Sequence, residues 1–386
     1  VATNAVLEGK GAKTGLITTR GFRDVLEMRR IRIPDMYNLD YVKPRPLVER
    51  RLRREITERI GPNGDVWEPL DEKTVQKAGL FLKSEGVESV AVSLMHSYVN
   101  PAHEIRVLEI LKNELPDDVF ISCSHEILPE IREYERTSTT VVNALLGPVV
   151  SQYLSTLAVK LESLGISKPL QIMQSNGGLM SALRASKSPA KILESGPAAG
   201  VIAAAKVAAL SDVTDLITLD MGGTTAKTAI VEDGKPAKTT EYEVGSGINL
   251  SSRLLRGAGY AVKLPFIDVS EIGAGGGSKV WFDDGNLIHV GPQSAGSVPG
   301  PICYNNGGHD VTLTDALVAL GYLNPDYLVG GSVIIDSKLS TKAINDHVCP
   351  ILGLDCLRAA HGIYTIATSN MIRAVKVVNA VENGDP

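Results

Sequence analysis

The chain has 386 residues, of which 44% are hydrophobic and 22% charged, and its formal net charge is −5. This length exceeds what one hydrophobic core usually organises, so we expect a globular protein of two lobes. The negative charge argues against a nucleic-acid-binding protein, since no basic excess is present to neutralise phosphates. No apolar run approaches the roughly 18 residues of a membrane span, and the four cysteines form no C-x-x-C pair. We therefore expect a cytoplasmic protein without membrane association.

The first 210 residues alternate strand-like and helix-like segments, which predicts a mostly parallel sheet packed against helices. Strands are predicted at KTGLITT, VESVAVSLM and DVFISCS, and helices at LDEKTVQKAGLFLKSEG and PAHEIRVLEILKNEL. The charged segment PLVERRLRREITERI is interpreted as a helix with a solvated face. A long helix is predicted from about Arg136 to Leu164, with a kink at Gly147–Pro148.

From Asp215 three strands are predicted in succession, LITLDM, AKTAIVE and AKTTEYEV. Asp233–Gly234, between the last two, is a strong hairpin signal. Strands at SKVWFD and LIHVG follow, and the chain closes with predicted helices at TLTDALVALGYL, STKAINDHV and 357–381. We place the domain boundary so that residues 1–210 and 211–386 form separate lobes.

The segment LDMGGTT places a carboxylate, two glycines and two threonines between predicted strands. Glycine backbone can approach an anion without obstruction by Cβ, and threonine hydroxyls donate to phosphate oxygens. Asp220, at the end of a predicted buried strand, is suited to hold a hydrated Mg²⁺. The spacing predicts a tip for ATP phosphates or, equally, a tight hairpin whose Asp and Thr side chains satisfy turn hydrogen bonds.

The segment EIGAGGGS, Glu271 to Ser278, has four glycines in five positions. Because each glycine costs backbone entropy, this density predicts a close approach of the backbone to a ligand or to the facing lobe. The segment is not a Walker motif, since no Gly-Lys-Ser/Thr follows it.

Cys303, His309 and Asp315 lie near one another in sequence. They suggest a nucleophilic site or a metal site, and the alternative is that Asp315 caps a helix with a neighbouring threonine. The histidines of HSYVNPAHE and SHEILPEIREYERTS follow predicted strands, where a structural role is the ordinary interpretation and a functional role the alternative.

Eight blocks in this order together resemble the hydantoinase A / 5-oxoprolinase family over essentially the whole chain. They are VATNAVLEGKGAKTGLITTRGFRDVLE, SLMHSYVNPAHE, SHEILPEIREYERTSTTVVNA, MQSNGGLMSA, ESGPAAGV, LDMGGTTAKTAIVEDG, EIGAGGGS and GPQSAGSVPGPICYNNGGHDVTLTDALVALGYL.

The resemblance implies an α/β fold of two ribonuclease-H-like lobes, as in the actin, Hsp70 and sugar-kinase ATPases, with the first lobe incomplete. It implies use of ATP and Mg²⁺ to open a cyclic amide or imide such as hydantoin, N-methylhydantoin or 5-oxoproline. The alternatives are an ATP-dependent ketone carboxylase subunit, a small-molecule kinase and a non-catalytic assembly module. A B-type hydantoinase subunit is the expected partner, and a homo-oligomer is a further expectation.

The resemblance also implies the site. Asp220 is the catalytic candidate and the metal ligand, and the cofactor-binding residues are Gly222, Gly223, Thr224, Thr225, Lys227, Gly275, Gly276 and Gly277. His309 and Asp315 are further catalytic candidates, chosen from their closeness in sequence and not from the resemblance. Many family members carry an aspartate where this chain has Lys227, so the lysine either neutralises phosphate or lies on the hairpin surface. Members begin with another D-x-G-G-T turn and continue into an F-G-G-x-G-P segment. This sequence holds neither, and we expect it to be the central part of a longer protein.

Overall fold

The computed structural model describes residues 1–30, 37, 39–245 and 259–381. Its strands are β1 (Thr14–Thr19), β2 (Arg53–Ile56), β3 (Arg59–Ile60), β4 (Val66–Glu68), β5 (Ser89–Ser93), β6 (Phe120–Cys123), β7 (Gln171–Met173), β8 (Leu179–Ser181), β9 (Leu216–Met221), β10 (Ala226–Glu232), β11 (Lys235–Pro236), β12 (Lys238–Thr239), β13 (Tyr242–Val244), β14 (Tyr260–Val262), β15 (Phe266–Ile267), β16 (Ser270–Ile272), β17 (Ser278–Phe282), β18 (Ile288–Ser294), β19 (Tyr327–Leu328) and β20 (Val333–Ile334). Its α-helices are α1 (Ala2–Leu7), α2 (Val25–Met28), α3 (Glu72–Ser84), α4 (Ala102–Glu114), α5 (Ser124–Ile127), α6 (Glu133–Ser163), α7 (Ala182–Lys187), α8 (Ser195–Ala209), α9 (Leu313–Ala319), α10 (Ser337–His347), α11 (Cys349–Leu352) and α12 (Cys356–Val381).

The described residues form two compact units that divide between Ile202 and Ala203, inside α8. The first unit holds the described parts of 1–202, 238–246 and 255–267, and the second those of 203–237 and 268–386. The boundary that we place from sequence, at 210/211, falls just after the same helix. The sequence carries no signal for the return of residues 238–245 to the first unit.

Four strands of the first unit form a parallel sheet in the order β2-β1-β5-β6, which confirms the parallel sheet predicted from the alternation. Every residue of β1 and β5 is buried, as expected for strands covered on both faces. Although β2 lies between them in sequence, β1 and β5 are neighbours, so the chain leaves these two strands toward opposite edges of the sheet.

The interpretation of residues 46–60 as a charged, solvated helix is wrong. After one 3-10 turn at Arg50–Leu52 the run continues as the strands β2 and β3, and β2 pairs in parallel with β1. Leu52, Ile56 and even Arg53 are buried, with Arg53 only 2% exposed. Burial of the two apolar side chains contributes more than the small helical propensity of arginine and glutamate, so strand pairing prevails.

Helix α6 is the central helix of the first unit, and its bounds confirm the predicted long helix. It continues through Pro148, and all residues from Glu135 to Gly147 are buried, on β5 and β6. By length and composition alone this helix is long and apolar enough to cross a membrane, and half of its most apolar window is buried within the protein. A helix enclosed in this way has the burial of a core helix.

In the second unit β9, β10 and β16 form an antiparallel sheet. The predicted strands LITLDM and AKTAIVE coincide with β9 and β10. The burial expected for LITLDM is wrong, since every residue of β9 is intermediate or exposed, whereas most of β10 is buried. Asp233 and Gly234 have positive φ angles of 51° and 71°, as a tight hairpin turn requires, and β10 pairs with β11 across them. The predicted hairpin is confirmed.

The prediction that AKTTEYEV forms a single strand is wrong. The segment is divided into β12 and β13, which pair with β15 and β14 in the first unit. The remaining predicted elements of the second unit are present: β17 pairs with β18, and α9, α10 and α12 share a core that includes Leu313, Ile344 and Ile363.

Gly147 tests the packing of α6 on the sheet. A Cβ at this position would overlap the ring of Phe120, so we expect Gly147→Ala to lower the free energy of unfolding by about 1–3 kcal/mol. The control is Gly362→Ala in α12, where a Cβ meets no atom within 4 Å and should stabilise by about 0.4–1 kcal/mol. Chemical denaturation measures both, and equal effects of the two substitutions would contradict the packing.

Candidate functional site

The turn between β9 and β10 carries the predicted phosphate-binding residues. Gly222 N donates a hydrogen bond to Thr225 O at 2.9 Å, which closes the turn. Asp220, near the end of β9, has an exposed side chain, and Gly223 and Thr224 are exposed as well. Two hydrogen-bonded strands thus hold a short, solvent-facing tip.

This tip leaves hydrogen-bond donors open. Within the described ranges, the amides of Gly223, Thr224 and Thr225, both threonine hydroxyls and the Asp220 carboxylate have no protein partner. The hairpin alternative required these side chains to satisfy the turn, and they do not. Successive amides without a protein acceptor are suited to bind an anion.

The glycine segment 275–277 holds the tip through its backbone. Gly276 N donates to Gly222 O at 3.0 Å, and Gly277 N donates to Gly223 O at 2.6 Å. A Cβ on Gly275 would lie 2.8 Å from both Gly222 O and Gly223 C, closer than side chains come to backbone atoms. The glycines therefore permit a contact between two backbones.

Two side chains support the same segment, one adjacent to it and one distant in sequence. Gly275 N donates to Ser278 Oγ at 2.9 Å, and Thr314 donates from both N and Oγ1 to Gly276 O at 2.8 Å. The amides of all three glycines are thus occupied inside the unit. The nucleotide contact predicted for Gly275, Gly276 and Gly277 stays a prediction. What the geometry shows is that these glycines support the β9–β10 turn. Sequence reasoning missed the supporting roles of Ser278, although it lies in the quoted motif, and of Thr314, which no spacing links to the turn.

Lys227 lies between two carboxylates across the sheet. The strand register places Asp220 on β9 and Glu271 on β16 directly opposite Lys227 on β10. Lys227 Nζ is 3.8 Å from Glu271 Oε1. Because directly opposed residues share one face of an antiparallel sheet, a cation lies next to the Asp220 position at the tip. The predicted contact of Lys227 with phosphate stays a prediction.

A metal centre built only from side chains is not present in the part of the chain that the structure describes. No three His, Cys, Asp or Glu side chains there are grouped so as to hold an ion. Asp220 is a lone exposed carboxylate, which suits Mg²⁺, because this ion keeps most of its waters and takes one or two carboxylates together with phosphate oxygens.

Asp315 is a buried carboxylate that caps a helix. Its Oδ2 accepts from Thr312 N at 3.0 Å and Thr312 Oγ1 at 2.8 Å, and its Oδ1 accepts from Cys303 N at 2.9 Å and Ser340 Oγ at 2.8 Å. Thr312 and Asp315 form a capping box at the start of α9. The chain's own donors thus occupy this carboxylate, and the geometry favours the capping alternative over the predicted catalytic role.

Cys303 and His309 do not form a nucleophilic pair. Cys303 is fully buried, and burial, with the nearby charge of Asp315, raises the pKa of its thiol to about 12. The thiol is therefore protonated at neutral pH and is a poor nucleophile. His309 is exposed and makes no hydrogen bond to another described residue. Its predicted catalytic role stays a prediction.

Two family models match the chain. The model described as Hydantoinase/oxoprolinase matches residues 136–385, and the model described as Hydantoinase/oxoprolinase N-terminal region matches residues 1–115. Together they span both compact units and include the β9–β10 turn.

Individual relatives match across the same span. An uncharacterized protein of Methanocaldococcus jannaschii is 44% identical over 374 residues, 97% of this chain and 54% of that protein. Caprolactamase subunit alpha of Pseudomonas jessenii is 38% identical over 388 residues, 100% of this chain and 54% of that subunit. The crystal structure of ATP-dependent caprolactamase from the same organism has a TM-score of 0.77 at 38% identity. The match covers 100% of this chain and 54% of that chain.

A nucleotide-free structure of acetone carboxylase has a TM-score of 0.83 at 28% identity, and the match covers 100% of this chain and 54% of that chain. The chain thus spans about half the length of the curated relatives that it matches. The solved structures support a mixed α/β fold for the chain.

Asp315 tests the capping role. Asp315→Asn should lower the free energy of unfolding by about 2–3 kcal/mol, because the amide cannot accept all the hydrogen bonds that the carboxylate accepts. Asp310→Asn, which removes an exposed ion pair with Lys279, should cost less than about 1 kcal/mol. Denaturation curves compare them. Full stability of Asp315→Asn with loss of enzymatic turnover would favour catalysis instead.

Proposed function

Because the chain belongs to the hydantoinase/oxoprolinase family, we propose that it is the ATP-binding part of an enzyme that opens a cyclic amide or imide by phosphorylating its carbonyl oxygen. One observation carries the proposal. The β9–β10 turn presents three amides, two hydroxyls and one carboxylate that no described residue occupies.

These groups have the chemistry that a triphosphate requires. The amides of Gly223, Thr224 and Thr225 donate to β- and γ-phosphate oxygens, and the threonine hydroxyls add donors. Asp220 holds the hydrated Mg²⁺, which neutralises charge on the transferring phosphoryl group. Phosphoryl transfer needs positioning and charge neutralisation more than covalent chemistry, so a rigid turn with few charged groups is sufficient for this part of the site. The actin-type arrangement of two lobes belongs to the same proposal.

A cyclic amide is the substrate class that we favour. Caprolactamase is named for such an amide, and its solved structure is described as ATP-dependent. Amide oxygen is a poor leaving group, and conversion to a phosphate ester makes the ring carbon open to attack by water. A B-type subunit is the partner that we expect to complete the hydrolysis, since several relatives are themselves named as subunits.

A ketone carboxylase subunit is the second candidate, favoured by the likeness to the structure described for ATP-dependent acetone carboxylation. The full-length protein with its partner distinguishes the two. Release of ADP and phosphate that depends on caprolactam, hydantoin or 5-oxoproline supports the first. Release that depends on acetone with bicarbonate supports the second, and a stable phosphorylated product would instead indicate a kinase.

Asp220 is the direct test of the metal and phosphate site. We expect Asp220→Asn to weaken binding of Mg·ATP to the full-length protein by tenfold or more, about 1.4 kcal/mol, in calorimetric titration. The matched control is Asp233→Asn, the same change at the turn between β10 and β11, which should leave binding unchanged because asparagine also tolerates positive φ. Equal affinities for all three proteins would refute the site.

Gly223 tests whether the open space at the tip belongs to the ligand. A Cβ at Gly223 meets no protein atom within 4 Å, so Gly223→Ala should unfold like wild type. If phosphate approaches the backbone here, the same methyl group obstructs it, and Mg·ATP affinity should fall about tenfold. Gly200→Ala, also free of contacts, is the control. Unchanged affinity in Gly223→Ala would place the nucleotide elsewhere.

A further inference from the structure

Two of the four cysteines are partly exposed on the second unit, and the nucleotide site gives them no role. Cys349 is the first residue of α11, and Cys356 is the first residue of α12. The other two cysteines, Cys123 and Cys303, are buried, and all four are free thiols. A reagent in solution therefore reaches Cys349 and Cys356 more readily than the buried pair.

Both exposed thiols lie against α10. Cys349 Sγ is 3.6 Å from Asn345 Oδ1, and Cys356 Sγ is 3.9 Å from the backbone oxygen of Thr341. In an α-helix the backbone oxygen of one residue accepts from the amide four positions later, and four positions after Thr341 is Asn345. The two sulfur atoms therefore contact neighbouring atoms on a single face of α10.

The chain between the two cysteines is a tight connection. Helix α11 has four residues, and Gly353 after it has a left-handed φ of 64°, which ends the helix. Asp355 Oδ1 then accepts from Arg358 N at 2.9 Å, as a residue that caps the start of a helix does. This connection returns the chain to α10, so the first residues of α11 and α12 both pack there.

The two thiols also lie within electrostatic range of each other. Burial raises the pKa of Cys356, and negative charge on Cys349 and on Asp355 raises it further. Burial and Asp355 likewise raise the pKa of Cys349. Both thiols are therefore protonated at neutral pH, and reaction through the thiolate is slow there and becomes faster as the pH rises.

We propose that Cys349 and Cys356 form a thiol–disulfide exchange site, which a low-molecular-weight disulfide such as oxidised glutathione converts to an intramolecular disulfide. One cysteine loses its proton, and its sulfur attacks a sulfur of the small disulfide. A mixed disulfide forms and one small thiolate leaves. The second cysteine loses its proton and attacks the protein sulfur of the mixed disulfide. The bond between the two cysteines forms, and the second small thiolate leaves with the electron pair of the broken bond. Two protein thiols are thus oxidised, and one small disulfide is reduced to two thiols.

The new bond closes a ring over residues 349–356 at the junction of three helices. Helices α10, α11 and α12 contribute to one core, which includes Ile344, Leu352 and Ile363. Because a cross-link restricts the unfolded chain more than a native chain that already holds the two residues together, the oxidised protein should melt at a temperature a few degrees higher.

The test equilibrates the full-length protein with graded ratios of reduced and oxidised glutathione at about pH 8, where exchange is faster than at neutral pH. The protein is then unfolded in an alkylating reagent and digested with trypsin. Cleavage after Lys342 and Arg358 releases one peptide, 343–358, that carries both cysteines. We expect this peptide to escape alkylation and to be lighter by two hydrogen atoms, whereas Cys123 and Cys303 become alkylated.

The same equilibration in urea measures what the fold contributes. The glutathione ratio at half oxidation gives the effective concentration of the two thiols, which we expect to be at least about tenfold higher in the native protein than in the unfolded one. In Cys349→Ser and Cys356→Ser the remaining cysteine should keep one glutathione as a mixed disulfide. An effective concentration no higher in the native protein than in urea would overturn the assignment. A native peptide 343–358 that carries two glutathiones, or that stays alkylated at both cysteines at every ratio, would also overturn it.

Discussion

The candidate phosphate-binding turn depends on a contact between two backbones, in which Gly276 and Gly277 donate to the carbonyls of Gly222 and Gly223. A β-hairpin tip is ordinarily among the more mobile parts of a fold. Here the carbonyl side of the tip is tied to a second segment, and Thr314 ties that segment to the start of α9. The glycine segment and α9 thus hold the tip, while the amides of Gly223, Thr224 and Thr225 stay open. This is the preorganisation that electrostatic stabilisation of a phosphoryl group requires.

The carboxylates of the protein divide by burial and by what occupies them. Asp315 and Glu104 are buried, and backbone amides and hydroxyls of the chain take up their acceptor positions. Such groups hold loops and strand ends together. Asp220 is exposed and has no partner in the described ranges. The proposed function uses this last carboxylate.

Periodicity and turn chemistry predicted much of the fold. The apolar runs at β5 and β9, the amphipathic α3 and the Asp233–Gly234 turn lie where the sequence indicates, because each depends on residues close together in the chain. The error at 46–60 has the opposite cause. The helix-favouring charges there are local, while the pairing of β2 with β1 and the burial of Arg53 come from residues far away in sequence.

The sequence by itself determined that Asp220, Gly222 and Gly223 lie at a tip between two strands, since strand runs and glycines are local signals. It also determined the family, because eight motifs in order are a property of the chain and not of its packing. Only the tertiary structure decided the roles of Gly275 and Asp315 and the common position of Cys349 and Cys356 on α10. Each depends on which atoms lie within contact distance after folding, and identical residue types take different roles according to those neighbours.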